Sequence, residues 1–228
     1  MHANDTEPKE MPTRLNLSRE DHGSRTVEYV IRACKQKTIK KFTPIFNTAG
    51  ISFPPKTVLI AVFKQDCELC VYSEKNEKSV WLYTYPVKAL SGKRGPKQRE
   101  GDLQVPEGVY AVDYMNPNSR FHLSFKLNYP NTRDRQRAAD AGIHDPGTDI
   151  FIHGGEKSTG CVAIGDAAIE ELFTLVALAG IENTKVVLFP CRPRSGKFMP
   201  CEIGAADTDE LYKELLEEYD KLGENVSG

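Results

Sequence analysis

The sequence predicts a mainly β protein with flanking helices, an α+β fold built on one β-rich domain at residues 52–195. Three observations predict it. The stretch "TVLIAVF" (57–63) is a continuous apolar run of strand length. Short apolar or alternating runs separated by polar turns recur from there to about residue 190. Apolar residues at helical spacing occur near both ends and once in between, after residue 166. The chain divides into a disordered tail (1–20), a helical segment (21–51), the β-rich domain (52–195) and a C-terminal helix packing on it (196–228).

In order, residues 1–20 are charged and lack apolar periodicity. Val27, Val30, Ile31 and Cys34 share one helix face. "FTPIFNTAG" adds a second short helix, with Pro44 in its first turn and Gly50 as its stop. "TVLIAVF", "CELCVYS" and "SVWLYTYPV" form an antiparallel meander. "GVYAVDYM" (108–115) is a further strand. In "FHLSFKLN" (121–128) Phe121, Leu123, Phe125 and Leu127 alternate with polar residues, a half-buried strand. "DIFIHG", "GCVAIG" and "TKVVLFP" complete the set, while "YPNTRDRQRAADAGIHDPG" reads as a long loop without apolar period. Asp166 caps a helix with the stripe Ile169, Leu172, Phe173 and Val176, ended by Gly180. Asp207 and Glu210 have capping-box spacing for a last helix whose inward face is Tyr212, Leu215, Leu216 and Tyr219.

The 228 residues carry a formal charge of -2 and are 39% hydrophobic, an ordinary globular balance without the basic excess of a nucleic-acid binder. No apolar run reaches membrane-spanning length, so no transmembrane segment is expected. The first residues, "MHANDTEPKEMPTR", lack the apolar core of a signal peptide, which leaves open a cytosolic protein or one whose signal has been removed. Six cysteines are too sparse for a disulfide scaffold. Cys191 and Cys201 could pair in an oxidising compartment; Cys67 and Cys70 could too, against strand geometry.

The chemistry concentrates in "DIFIHGGEKSTGCVAIGD" (149–166), where His153 and Cys161 stand eight positions apart. A cysteine attacks as the thiolate, and a neighbouring imidazole can take its proton and return it to a leaving amine. Two adjacent strands joined by a tight loop bring the two together. Gly154, Gly155 and Gly160 allow close backbone approach, and the amides of Gly160 and Cys161 offer donors to an oxyanion. The Ser158 hydroxyl can bond across the loop and hold Cys161 in place. Spacing alone equally allows half of a metal site or two unrelated core residues. A zinc site asks for four ligands, and the "CELC" pair at 67–70 puts its cysteines on opposite strand faces.

Ser91-Gly92, "GPKQREGD", "VPEGVYAV", "NPNSRFHLSF", "YPN" and "IHGGEKSTGCVAIGDAAIEELF" follow one another between about residues 41 and 195. In that order and spacing, ending in HGG…S-x-G-C-x-A-x-x-D, they resemble the L,D-transpeptidase catalytic domain, the YkuD-like family, and within it the YafK-like branch. The resemblance implies a β-sandwich-type catalytic domain with no metal and no cofactor. It implies an enzyme acting on peptidoglycan stem peptides, after an L-centre at the bond to the next D-centre, at meso-diaminopimelate. Cys161 would form a thioester. The acceptor would be a stem amine, a D-amino acid, a lipoprotein lysine or water. His153 would be base and then acid, with the Gly154 carbonyl orienting its ring. Many relatives carry a histidine where this chain has Thr159 and an arginine where it has Ala163, and their His-to-Cys loop is longer. These departures suit the YafK-like branch, some of whose members hydrolyse the amide joining an outer-membrane lipoprotein to peptidoglycan.

The reading is therefore an amidase of the peptidoglycan–lipoprotein linkage, in the periplasm or cell envelope where that substrate lies. The alternatives are an L,D-transpeptidase that forms cross-links or attaches protein or D-amino acids, and a catalytically silent peptidoglycan-binding module. A thiol oxidoreductase built on Cys67 and Cys70 lacks the helical cysteine it needs. Gly155, Ser158, Thr159 and Gly160 would support the catalytic loop. For a zwitterionic diaminopimelate centre, Lys97, Glu100 and Asp102 supply both charges. Arg120 could grip a carboxylate, beside Asn118 and Ser119 of the "NPNSR" turn, with Tyr129 and Asn131 facing substrate from the long loop.

Overall fold

The computed structural model describes Leu17, residues 22–200, Glu202 and residues 208–223. The expected tail at 1–20, Leu17 apart, the capping residue Asp207 and the pairing partner Cys201 lie outside the described residues.

The architecture is a mixed sheet with flanking helices. Among the described residues the sheet has nine strands, β1 (Val58–Phe63), β2 (Glu68–Lys75), β3 (Lys78–Pro86), β4 (Ala89–Leu90), β5 (Gly108–Ser119), β6 (His122–Leu127), β7 (Phe151–His153), β8 (Val162–Ala163) and β9 (Thr184–Phe189). Their spatial order is β3-β2-β1-β9-β5-β6-β7-β8-β4. The expected meander of β1, β2 and β3 is antiparallel, but β1 runs parallel to β9 and β7 parallel to β8.

β1 is continuously apolar because both of its faces are buried. Val58, Ile60 and Val62 enter the main core, while Ala61 and Phe63 enter a second cluster on the opposite face. Helices α1 (Val27–Ala49) and α3 (Asp166–Ala179) contribute to the main core. α4 (Thr208–Asp220) lays Leu211, Leu215 and Tyr219 on the second cluster. Its buried stripe therefore starts one residue before the predicted one, and Tyr212 and Leu216 are only half-buried.

The two helices predicted across 27–49 are one. Thr26 caps it through a bond from the Tyr29 amide, and Gly50 ends it at φ 68. Pro44 removes one helical hydrogen bond, but it lies on the exposed face while Phe42 and Phe46 are buried. The long loop conceals α2 (Thr132–Asp140). Asn131 and Asp134 form a capping box, and the buried Asp134 takes bonds from the Tyr110 hydroxyl and from Arg137. α2 is anchored by a polar cluster, which leaves no apolar period to detect. α3 has Gly165 at its cap position and no side-chain cap; Asp166 is its first helical residue and uses its carboxylate elsewhere.

The 91–107 segment, which carries Ser91 and Gln104 up to the 154–161 loop, is tied down by a buried ion pair. Lys64 Nζ donates to the carbonyls of Gly95 and Val105 and lies 3.0 Å from Glu107 Oε1, which also accepts from the Gly95 amide at 2.8 Å. Both side chains are nearly inaccessible to solvent, at 6% and 0%. Removing one partner strands the other charge in the interior. Lys64→Ala is expected to lower unfolding free energy by about 3–5 kcal/mol in a urea titration; a loss within error of zero would show that the pair does not hold this segment.

Candidate active site

Strand register brings His153 and Cys161 together. In the parallel β7–β8 pair, Ile152 stands opposite Val162 and His153 opposite Ala163. One step back along the same register, Cys161 falls opposite Phe151. Residues two apart on a strand share a face, so His153 and Cys161 are diagonal neighbours on one face of the sheet. The strands are parallel, not an antiparallel hairpin, and residues 154–161 make the return, with Gly155 at φ 69 and Gly160 at φ 97. Both conformations disfavour a side chain.

His153 is buried, and its Nδ1 lies 2.6 Å from the Gly154 carbonyl oxygen. A carbonyl only accepts, so Nδ1 carries the ring proton and Nε2 keeps the lone pair of a base. Burial lowers the His153 pKa, and the bond to Gly154 partly opposes that shift. Phe121 stacks on the ring, with centroids 4.5 Å apart and planes at 28°. The sequence put Phe121 on the core face of β6. It is instead 41% exposed, because His122 at φ 74 breaks the alternation where the strand begins.

Cys161 is half-buried, and its thiol donates to the Asp149 carbonyl at 3.6 Å. Burial raises its pKa, reinforced by the Asp149 charge and opposed by a backbone bond at Phe151 and by Lys97. Asp149 holds a left-handed backbone at φ 58, and its carboxylate pairs with Lys126 at 3.0 Å. Ser158 clamps Cys161 from both sides, donating to its carbonyl at 2.5 Å and accepting from its amide at 3.1 Å. The Gly160 amide is likewise engaged, by Ser91 Oγ at 2.5 Å. Both amides expected to face an oxyanion are thus occupied by serine hydroxyls. Thr159 is exposed on the loop.

Gly154 accepts no side chain. A Cβ there would lie 2.7 Å from both Asp166 Oδ1 and the Phe121 carbonyl, and 3.0 Å from Ile169.

Most of the predicted substrate contacts do other work. Lys97 and Asp102 satisfy each other at 2.7 Å, and Asp102 also accepts from the amides of Gln98, Arg99 and Gln104. Both are mostly buried, and their charges are engaged with each other within the loop. Glu100 is exposed, and its amide bonds to the Asp145 carbonyl. Tyr129 is buried with its hydroxyl on the Pro146 carbonyl, and the Asn131 side chain caps α2. Asn118 bonds the backbone of Gly23 and Arg25, and the buried Ser119 accepts from His22 and from the Phe121 amide. These two fasten the N-terminal segment beside the site. Arg120 differs: it is exposed, has no polar partner among the described residues, and lines a cavity of about 640 Å³ with Arg25, His122, Gly155 and Asp166. Phe121, Asp149 and Asp166 are the site residues that sequence reasoning passed over. Asp166 alone left a signal, as the last position of the HGG…D segment.

Among the described residues no group of three or more His, Cys, Asp or Glu side chains could hold a metal ion, and no helix is long and apolar enough to cross a membrane.

Residues 57–188 match the family described as L,D-transpeptidase catalytic domain (YkuD). The chain belongs to that family. It is 34% identical over 155 residues to the "Putative L,D-transpeptidase YafK" of Escherichia coli (strain K12), a match covering 66% of this chain and 61% of that protein. The YafK of Escherichia coli O157:H7 matches equally. This YkuD-family chain thus aligns with about three-fifths of the length of its curated relatives. Among solved structures, the helical cell shape determining protein Pgp2 from Campylobacter jejuni overlays with TM-score 0.49 at 23% identity, covering 72% of this chain and 54% of that one. Bd1075 of Bdellovibrio bacteriovorus overlays with TM-score 0.45 at 19% identity, covering 72% and 55%. Family membership rests on the sequence matches.

With the Cys161 thiol shifted up and the His153 imidazole shifted down, the pair is uncharged at neutral pH. Alkylation of Cys161 by iodoacetamide, followed by mass spectrometry, is expected to climb only at pH values above the range of an ordinary thiol. A rate already at its plateau below pH 7 would mean a thiolate–imidazolium pair instead. Gly154→Ala is expected to cost about 1–3 kcal/mol in thermal or urea unfolding, because backbone and carboxylate must move away from the new methyl group.

Proposed function

We propose that this domain is a cysteine acyl-transfer enzyme of the cell envelope that hydrolyses the amide between the meso-diaminopimelate centre of a peptidoglycan stem and an outer-membrane lipoprotein. The observation that carries the reading is the His153 tautomer. Its Nδ1–H is committed to the Gly154 carbonyl, which leaves Nε2 as a base on the sheet face shared with Cys161.

In the reaction the thiol turns from the Asp149 carbonyl to Nε2. His153 takes its proton as sulfur attacks the L-centre carbonyl carbon. The amide C–N bond breaks as the imidazolium returns the proton to the leaving amine, and a thioester on Cys161 remains. His153 then takes a proton from water, hydroxide attacks the thioester, and the proton passes to the leaving thiolate. The Gly160 and Cys161 amides receive the oxyanion once it displaces the serine hydroxyls. Arg120 offers its guanidinium to a substrate carboxylate. Water as acceptor is supported by the short His-to-Cys loop and by Thr159 and Ala163 at positions where many relatives carry histidine and arginine. The name of the Escherichia coli relatives favours a second reading, in which the same thioester passes to an amine.

Purified sacculi carrying covalently attached lipoprotein separate the two. Wild type is expected to release the protein with matching stem products, and Cys161→Ala to release none, by mass spectrometry of muropeptides. New diaminopimelate-to-diaminopimelate links or exchanged D-amino acids would establish the transferase, and no change dependent on Cys161 would overturn both. Ser158→Ala is expected to keep the reaction but slow it, as the clamp on Cys161 loosens by about 1 kcal/mol. Complete loss of turnover would give Ser158 a role in the chemistry itself.

A further inference from the structure

The peptide unit between Gly154 and Gly155 has a different partner at each end. Its carbonyl oxygen lies 2.6 Å from His153 Nδ1, and its N–H donates to Asp166 Oδ1 at 2.8 Å. The bond is trans, so carbonyl and N–H point in opposite directions and the two contacts lie at opposite edges of one planar group. The result is a continuous line: carboxylate, amide N–H, amide carbonyl, imidazole Nδ1–H, and Nε2 beyond it.

We infer that Asp166 is a positioning residue that acts on the catalytic imidazole through the Gly154–Gly155 peptide, completing a Cys161–His153–amide–Asp166 relay. The inference rests on the reading of Cys161 and His153 as nucleophile and base. A carboxylate accepting the Gly155 N–H polarises the whole peptide group and makes the Gly154 oxygen a stronger acceptor. That favours the Nδ1–H tautomer at rest and stabilises the imidazolium formed when Nε2 takes the thiol proton. No proton moves along the line.

The surrounding structure fits this arrangement. Gly154 has no side chain, and a Cβ there would meet Asp166 Oδ1 at 2.7 Å, so glycine is what lets the carboxylate reach the peptide. Asp166 begins α3, where the helix N-terminus favours a negative charge. α3 also buries Ile169, Leu172 and Phe173 in the core, which fixes the carboxylate relative to β7. A buried imidazole resists protonation, so a carboxylate two hydrogen bonds away is where the fold can offset that cost without itself crowding the ring. The charged and titratable groups around the loop include Glu156 and Lys157 within it, Cys161 just before β8 with Asp149 and Lys97 acting on it, Arg120 in the β5–β6 turn, His22 and Arg25 of the N-terminal segment, His122 at the start of β6 with its partner Glu170, and Asp166. Of these, Asp166 is the one bonded to the peptide that holds Nδ1.

Asp166→Asn separates the relay from a merely structural role, since it keeps an acceptor oxygen and removes the charge. Asp166 is exposed, so the change does not threaten the fold. Two readouts need no substrate: the His153 pKa from ring-proton NMR, and the pH dependence of Cys161 alkylation. Asp166→Asn is expected to lower the His153 pKa by about half a unit and turnover by about 3–10-fold, with KM unchanged and only the small loss of melting temperature that follows removal of a charge at a helix N-terminus. Asp166→Ala, which loses the acceptor as well, is expected to fall further. Asp166→Glu, which restores the charge, is expected to recover part of the pKa. If Asp166→Asn leaves the His153 pKa and the alkylation profile at wild-type values, the relay is wrong, whatever the substrate proves to be. If both shift as expected and sacculi are untouched, the relay stands and the substrate reading fails.

Discussion

The parallel pairing of β7 with β8 is the constraint on which the site depends. Three residues on one strand and two on the other suffice, because the pairing sets which face each side chain occupies. A shift of one residue would turn Cys161 to the opposite face from His153. The register is protected by burial, since Ile152 and Val162, the paired apolar residues, are fully enclosed in the main core. Their position follows in turn from β6, which pairs with β7, and from β5, which joins both halves of the strand order.

Around that register the polar groups that hold the His153–Cys161 loop are paired. Ser158 holds Cys161, Ser91 holds Gly160, the Gly154 carbonyl holds His153, and Asp149 receives the thiol. A loop in this state is pre-organised, and its thiol is hydrogen-bonded to the Asp149 carbonyl and not to the imidazole. Under the proposed function, reaction consists of exchanging these hydrogen bonds for bonds to substrate. Among the predicted substrate contacts Arg120 offers a guanidinium with no polar partner among the described residues, at the edge of an open cavity.

The segment from 91 to 107 shows why charge content is a poor guide to binding. Its lysines and carboxylates resemble a charged cleft wall, yet Lys97 and Asp102 neutralise each other inside the loop, and Lys64 with Glu107 anchors it from beneath. Burying charges is costly unless they are paired, so a charged residue close to the core is already engaged by its neighbour. α2 illustrates the same physics. Its anchor is the Tyr110–Asp134–Arg137 cluster, which no hydrophobic period announces.

What the sequence determined by itself was the local chemistry. Apolar runs and alternation located β1, β2, β3, β6 and β9 to within a residue or two, and the HGG…S-x-G-C segment marked the loop where a histidine and a cysteine meet. These are short-range signals, written in consecutive residues. Only the tertiary structure decided that β7 and β8 run parallel, that Phe121 leaves its strand pattern to cover the imidazole, that Asn118 and Ser119 serve the N-terminal segment, and that Asp166 reaches the Gly155 amide. Each of those depends on which distant element packs alongside, and a one-dimensional pattern of polar and apolar residues does not encode a partner's direction.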